Sequence, residues 1–237
     1  MNDETDTTND FAAIFGAAAS SPAVVSARLA VLDAAASSLV AIADELHVAG
    51  WVGRDDRRLA TALLSRLAGE LAMGIRHLLL AESDYAAGAL LRQLIEVEYL
   101  LFLGYGDPGT LEQWYRADAR TLRHAFSPKA MRKASGGLFR DQEYWLHCEV
   151  GGHPHPRARM LLSAYQPTVA PQAFLLPDSV HHVRRAWTSL RLLLPQLDDG
   201  EAILIGRGNT LATAVRAWEA VEDATVLSFD GVPKREQ

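Results

Sequence analysis

Residues 84–105, DYAAGALLRQLIEVEYLLFLGY, form the central element of this chain. At 1.5 Å per residue they make about six helical turns, roughly 33 Å. Apolar residues appear on every side of the wheel, and a helix apolar all round is normally buried. Arg92 and Glu96 nevertheless lie inside it, four residues apart on one face and within reach of each other, with Gln93 beside them. A buried ion pair requires good geometry or a use. Two readings follow. The pair either specifies packing, inside the bundle or at an end that water reaches, or forms the floor of a cleft. In the cleft Arg92 binds an anionic group and Glu96 orients it or a catalytic histidine.

On the N-terminal side, Ser21-Pro22 starts a helix in which Val25, Leu29, Leu32, Ala36, Leu39, Ala43 and Leu46 recur at helical spacing up to Gly50. Asp55 or Asp56 opens a second helix reaching about Glu82. On the C-terminal side, Asp107-Pro108 repeats the cap-plus-proline signal for a helix running to about Ala125. Ser127-Pro128 begins a short helix that Gly136-Gly137 ends, and another spans residues 139–150. Residues 153–177 are punctuated by proline and predict a long irregular loop. Asp178 or Ser179 caps the next helix, which Pro195 ends. EAILIG, residues 201–206, predicts a brief strand, and Asn209 or Thr210 opens a last helix. The expected fold is all-α, a bundle of about seven helices with a long Pro-rich loop. Residues 1–19 are expected to be a disordered acidic tail, residues 20–229 a single helical domain and residues 230–237 a C-terminal tail.

The chain has 237 residues, 49% of them hydrophobic, enough for a substantial core without metal or disulfide. Its net charge of −6 argues against a general nucleic-acid or membrane-surface binder, so any anion site is local. The single cysteine, Cys148, suits a reducing cytoplasm. FAAIFGAAASS, residues 11–21, resembles the apolar part of a signal peptide, but an acidic rather than basic stretch precedes it. No uninterrupted run of 18 apolar residues occurs, so no membrane partner is expected, and the protein is read as cytoplasmic.

Three constellations carry possible chemistry besides the central pair. Between Arg116 and Arg140 lie Arg116, Arg120, Arg123, Lys129, Arg132, Lys133 and Arg140, opposed by Asp118. On one continuous helix Arg116, Arg120 and Arg123 form a stripe with His124 adjacent. That stripe is either a solvated face or a grip for phosphates, RNA being the obvious ligand. Next, WLHCEVGGHPHP holds His147, Cys148, Glu149, His153 and His155. Consecutive helical residues point about 100° apart, so the first three cannot share one ion, and no metal is expected. His181-His182 either add a ligand from a distant helix or face solvent. Lastly, Arg140, Asp141 and His147 place an arginine, a polar residue and a histidine in series. No P-loop, G-x-S-x-G or dinucleotide fingerprint occurs, so no cofactor is expected.

The Arg140–Asp141–His147 series resembles the active-site pattern of HEPN ribonucleases. Over about residues 64–162 the order of features also resembles a group of bacterial all-α domains, some of them HEPN-like. Those features are ALLRQLIEVEYLL on a core helix, an aromatic-bearing helix after DPGTLEQWYR, and YWLHCEVGGHPHP leading into a loop. The resemblance implies a homodimer in which arginine and histidine of paired protomers cradle and cleave RNA without metal. It places Arg140 and His147 on the phosphate, or makes Arg92, Glu96 and one of His147, His153 or His155 the polar centre. Other members of such groups are noncatalytic binding modules. The expected function is therefore that of a HEPN-like helical protein binding an anionic ligand, RNA first, with metal-independent ribonuclease activity as its enzymatic form. A noncatalytic interaction or small-ligand module is the alternative, and a metal-dependent hydrolase using His147, His153 and His155 is a third reading.

Overall fold

A computed structural model describes residues 22–162 and 172–222. The expected acidic tail at residues 1–19, the cap at Ser21, part of the proline-rich stretch at 163–171 and the C-terminal tail at 230–237 lie outside the described residues. Among the described residues 86% are helical and none is in a strand. They form ten α-helices, where about seven were expected.

Four long helices make the bundle: α1 (Pro22–Gly53), α2 (Asp56–Leu80), α3 (Asp84–Gly106) and, late in the chain, the helix at Gln172–Leu193. The Asp55 carboxylate accepts from the backbone N–H groups of Arg57 and Arg58, which starts α2 one residue later. Between α2 and α3 the chain reverses at Glu82, whose φ of 55° lies in the left-handed region. The expected break between two helices is therefore a tight turn. α1 is long and apolar enough to cross a membrane, with a mean hydropathy of 1.6 over its best window, a property that a search for uninterrupted apolar runs passes over. In the fold 44% of that window is buried, with Leu32, Ile42 and Leu46 in the core.

The all-round apolar character of α3 has a direct cause: it is covered by α2 on one side, by the Gln172–Leu193 helix on another, and by shorter elements on the rest. Those elements are α4 (Pro108–Tyr115), α6 (Pro128–Ala134), α7 (Asp141–His147), a π turn at Cys148–Gly152 and a 3-10 turn at Pro156–Leu161, while α5 (Ala119–Ala125) lies against α6 instead. The expected single helix from Pro108 to Ala125 is two helices, because Asp118 turns its carboxylate to the Thr121 N–H and starts a new one. α5 contributes no buried residue. Likewise the helix expected over residues 139–150 is α7 plus the π turn.

The stretch expected to be loop up to residue 177 is helical from Gln172. α8 (Gln172–Leu193) begins before Pro177, which lies in its second turn and removes a single helical hydrogen bond. Asp178 and Ser179 are thus interior positions and not caps. The expected strand at residues 201–206 is instead part of α9 (Gly200–Arg207), entered through Asp199 at φ 58°. Its isoleucines suit a strand, but burying Ile203 with Leu204 against the core while Ile205 faces solvent is a helical pattern, and packing overrides the local preference. α10 (Asn209–Val221) closes the fold on α1.

Candidate functional site

α7 and the π turn that continues it lie along α3, while side chains of α7 reach α8, and polar groups from these elements converge on both flanks of α7. The π turn approaches α3 closely because it carries two glycines. A Cβ on Gly151 would stand 2.5 Å from the carbonyl carbon of Gly88, and one on Gly152 would stand 2.4 Å from Cδ of Arg92.

On the α3 flank Arg92 and Glu96 form their expected ion pair at 2.9 Å, one helical turn apart and only partly exposed. Arg92 also donates to the Tyr144 hydroxyl at 2.7 Å and to Sγ of Cys148 at 3.3 Å. Tyr144 in turn donates to Oε1 of Glu96 at 3.1 Å. Burial, the largest influence, pushes the Tyr144 phenol above its ordinary value, and Glu96 adds to the rise. The Arg132 guanidinium covers the Tyr144 ring at 4.1 Å and is itself held by Asp141 at 2.6 Å. The Arg92–Glu96 pair therefore faces the histidine-bearing element, through a tyrosine.

The α8 flank holds a longer network. Nδ1 of His147 lies 2.7 Å from the Glu143 carbonyl oxygen, and its Nε2 lies 2.7 Å from Oδ2 of Asp178. The other Asp178 oxygen lies 3.4 Å from Nε2 of His182, whose Nδ1 meets Oε2 of Glu98 on α3 at 2.5 Å. Arg185 approaches Glu143 at 3.2 Å and Glu98 at 3.5 Å. Burial opposes charge on Asp178, but the two imidazoles outweigh it and hold the carboxyl well below the usual carboxylate range. Burial likewise opposes the proton on His182, yet Glu98 and Asp178 raise that imidazole to about 9. Arg185 is held above its ordinary value by Glu98, Glu143 and Asp178 against the opposing effect of burial.

The residues singled out from the sequence divide accordingly. Arg92, Glu96 and His147 border the two flanks of one helix end. Arg140 is exposed at the N-cap of α7, the length of the helix away from His147. Arg116, Arg120 and Arg123 do not share one helix: Arg116 follows α4 and pairs with Asp56 and Glu112, while Arg120, Arg123 and His124 are exposed on α5. His153 and His155 are also exposed. His155 accepts from the Arg157 N–H and borders a shallow, mainly apolar groove with Tyr85, Pro154, Pro156 and Leu162. The three histidines of the loop do not gather. His147 turns to α8 instead, to Asp178 and His182.

Glu98, Glu143, Tyr144, Asp178 and Arg185 did not stand out as site residues in the sequence. One signal was available. Asp178, His182 and Arg185 stand at i, i+4 and i+7, a polar stripe beside the apolar stripe of Val180, Val183 and Trp187. Reading Pro177 as a helix boundary hid it. No family model, curated protein or solved structure matches the chain.

Proposed function

We propose that the protein binds RNA through the cations of α5, α6 and the start of α7, as a HEPN-like helical binding protein. The observation that supports this reading is α5 itself, a helix with no buried residue. Such a helix adds nothing to the core, and the residues it presents to solvent include Arg120, Arg123 and His124. Lys129, Lys133 and Arg140 follow, also exposed, and among the described residues none of these lysines and arginines has an acidic partner. On a chain of net charge −6 this is a local positive field of the kind that phosphates seek.

Binding is favoured over cleavage. Arg140 and His147 stand seven positions apart along one helix, about 10 Å along its axis. Both ring nitrogens of His147 are engaged within the fold. A paired protomer is part of the reading, and light scattering on the purified chain checks it.

Fluorescence anisotropy with a labelled single-stranded RNA tests the proposal. Binding at low salt is expected to weaken with added salt, with a log–log slope of about −3.5 if five cations each neutralise a phosphate. The triple variant Arg120→Ala, Arg123→Ala, Lys133→Ala is expected to lose at least about tenfold in affinity while keeping its helical content. The labelled RNA should keep its length throughout. Absence of binding at low salt, or equal affinity in the triple variant, overturns the reading.

A further inference from the structure

We propose that His147, Asp178 and His182 form a binding site for one divalent transition-metal ion, zinc being the reference case, between the C-terminal end of α7 and α8. The site is independent of the RNA-binding face and uses different residues.

The three side chains offer two imidazole nitrogens and a carboxylate oxygen, all within 4.8 Å of one another. Asp178 and His182 are one turn apart on a single face of α8, and His147 reaches them from across the interface. In a tetrahedral site with metal–nitrogen bonds near 2.0–2.1 Å, donor atoms stand about 3.4 Å apart. To reach that spacing the His147–Asp178 contact at 2.7 Å must open and the widest separation, no more than 4.8 Å, must close by side-chain rotation.

Orientation is the stronger argument. A backbone carbonyl only accepts, so Nδ1 of His147 donates to Glu143. Nδ1 of His182 donates to Glu98 in the same way. With both rings neutral, each turns an unprotonated Nε2 toward Asp178, whose oxygens lie 2.7 and 3.4 Å away. Three electron-pair donors then face one another, a place that either protons or a metal cation must fill. Metal-bound histidines are commonly held in this manner, with the far nitrogen on a carboxylate or a carbonyl.

A separate observation points to the same place. The His182 side chain is 1% exposed, and its Nε2 makes no well-directed hydrogen bond, Oδ1 of Asp178 standing 3.4 Å away. A buried polar atom left unsatisfied is costly, and a metal bond satisfies it. The neighbourhood is also short of positive charge, with Glu98, Asp178 and Glu143 set against Arg185 alone. In the metal-free chain a proton on His182 relieves that excess. Metal binding displaces the proton, so uptake is accompanied by proton release.

Two imidazoles and one carboxylate suit zinc or ferrous iron better than calcium or magnesium, which take oxygen donors. Three protein donors leave a coordination position for water or a ligand, as catalytic zinc sites do and structural ones do not. Asp178 is 27% exposed, so solvent reaches the cluster.

The test is titration of the chelator-stripped full chain with cobalt(II), followed by its visible absorption, and with zinc(II) by calorimetry. One ion per chain is expected, zinc displacing cobalt. His147→Ala and Asp178→Asn should each weaken binding at least about 100-fold, and Glu98→Gln about 10- to 100-fold. His153→Ala and His155→Ala should leave it unchanged. If His182→Ala does not fold, His147→Ala and Asp178→Asn decide, with helicity checked by circular dichroism. Absence of stoichiometric uptake by the folded wild-type chain overturns the proposal, and so does full uptake in folded His147→Ala or Asp178→Asn. Loss of uptake in His153→Ala or His155→Ala places the ion elsewhere and overturns it equally.

Discussion

Nδ1 of His182 on α8 lies 2.5 Å from Oε2 of Glu98 on α3, and each side chain is 1% exposed. The pair joins two closely packed helices from inside the core. Removing one member leaves the other without its partner and away from water. Glu98→Ala is therefore expected to lower unfolding free energy by about 3–5 kcal/mol in a urea titration. Glu98→Gln keeps an acceptor for the imidazole and should cost less. Equal stability of Glu98→Ala and wild type would mean that the two side chains do not interact in solution.

Two adjacent histidines are expected to shape the pH profile of the metal-free chain in opposite ways. His182 is raised to about 9 from an ordinary 6.5, burial pulling it down and Glu98 and Asp178 outweighing it. Its contribution is fully present below pH 6.5 and is lost as pH rises through 9, a change on the order of 3 kcal/mol. His181 is pushed down to about 4, chiefly by burial, with Glu222 and Asp178 opposing. Its contribution is present above 6.5 and is lost as pH falls through 4. Urea midpoints measured with chelator present should therefore decline on both sides of pH 6.5. His182→Gln should flatten the alkaline limb and His181→Gln the acid limb. A wild-type profile level from pH 6.5 to 9 contradicts the account of His182.

Arg92 and Glu96 are a different kind of pair, 23% and 31% exposed. Partly solvated ion pairs contribute little, so replacing both by methionine is expected to change stability by no more than about 1 kcal/mol. A double-mutant cycle on Arg92→Met and Glu96→Met measures the coupling. A coupling above about 3 kcal/mol would show the pair to be a structural keystone.

Local features were legible and long-range pairings were not. The α3 boundaries, the Asp55 and Asp107 caps and the Arg92–Glu96 spacing all depend on residues within four positions of one another. The His182–Glu98 contact spans 84 positions and leaves no periodic trace. Glu98 reads in the sequence only as one more charge within an otherwise apolar helix. Asp178 was misread for a physical reason: proline normally marks a helix start, whereas here burial of Leu175 and Leu176 accompanies a helix that begins five residues before Pro177. The basic stripe failed similarly, since a capping Asp118 splits into two helices what the arginine spacing alone treats as one.

Gly151 sets how closely the π turn approaches α3. Gly151→Ala introduces a methyl group 2.5 Å from a backbone carbon of Gly88 in a place where backbone must move. A loss of about 1–3 kcal/mol is expected, together with weaker packing of Cys148. Gly53→Ala meets nothing within 4 Å at the end of α1 and should stabilise by about 0.5–1 kcal/mol. Thermal melts of the two variants should move in opposite directions.

Arg28 near the start of α1 and Glu222 at the end of α10 make a second buried pair, 194 positions apart, with both guanidinium nitrogens Nε and Nη2 on the carboxylate. Their side chains are 2% and 8% exposed. The pair fastens the last described helix to the first, and its two-pronged geometry offsets a large desolvation cost. Glu222→Ala leaves the guanidinium buried without a carboxylate and is expected to cost about 3–5 kcal/mol. It should also raise amide hydrogen exchange in α10 before the rest of the bundle, because α10 packs chiefly on α1. Replacing both residues together by Met and Leu removes the cost of desolvation along with the attraction and should come within about 1 kcal/mol of wild type. If the double variant is as unstable as Glu222→Ala, the charges are doing more than neutralising each other, and the ordering of α10 depends on the ion pair itself.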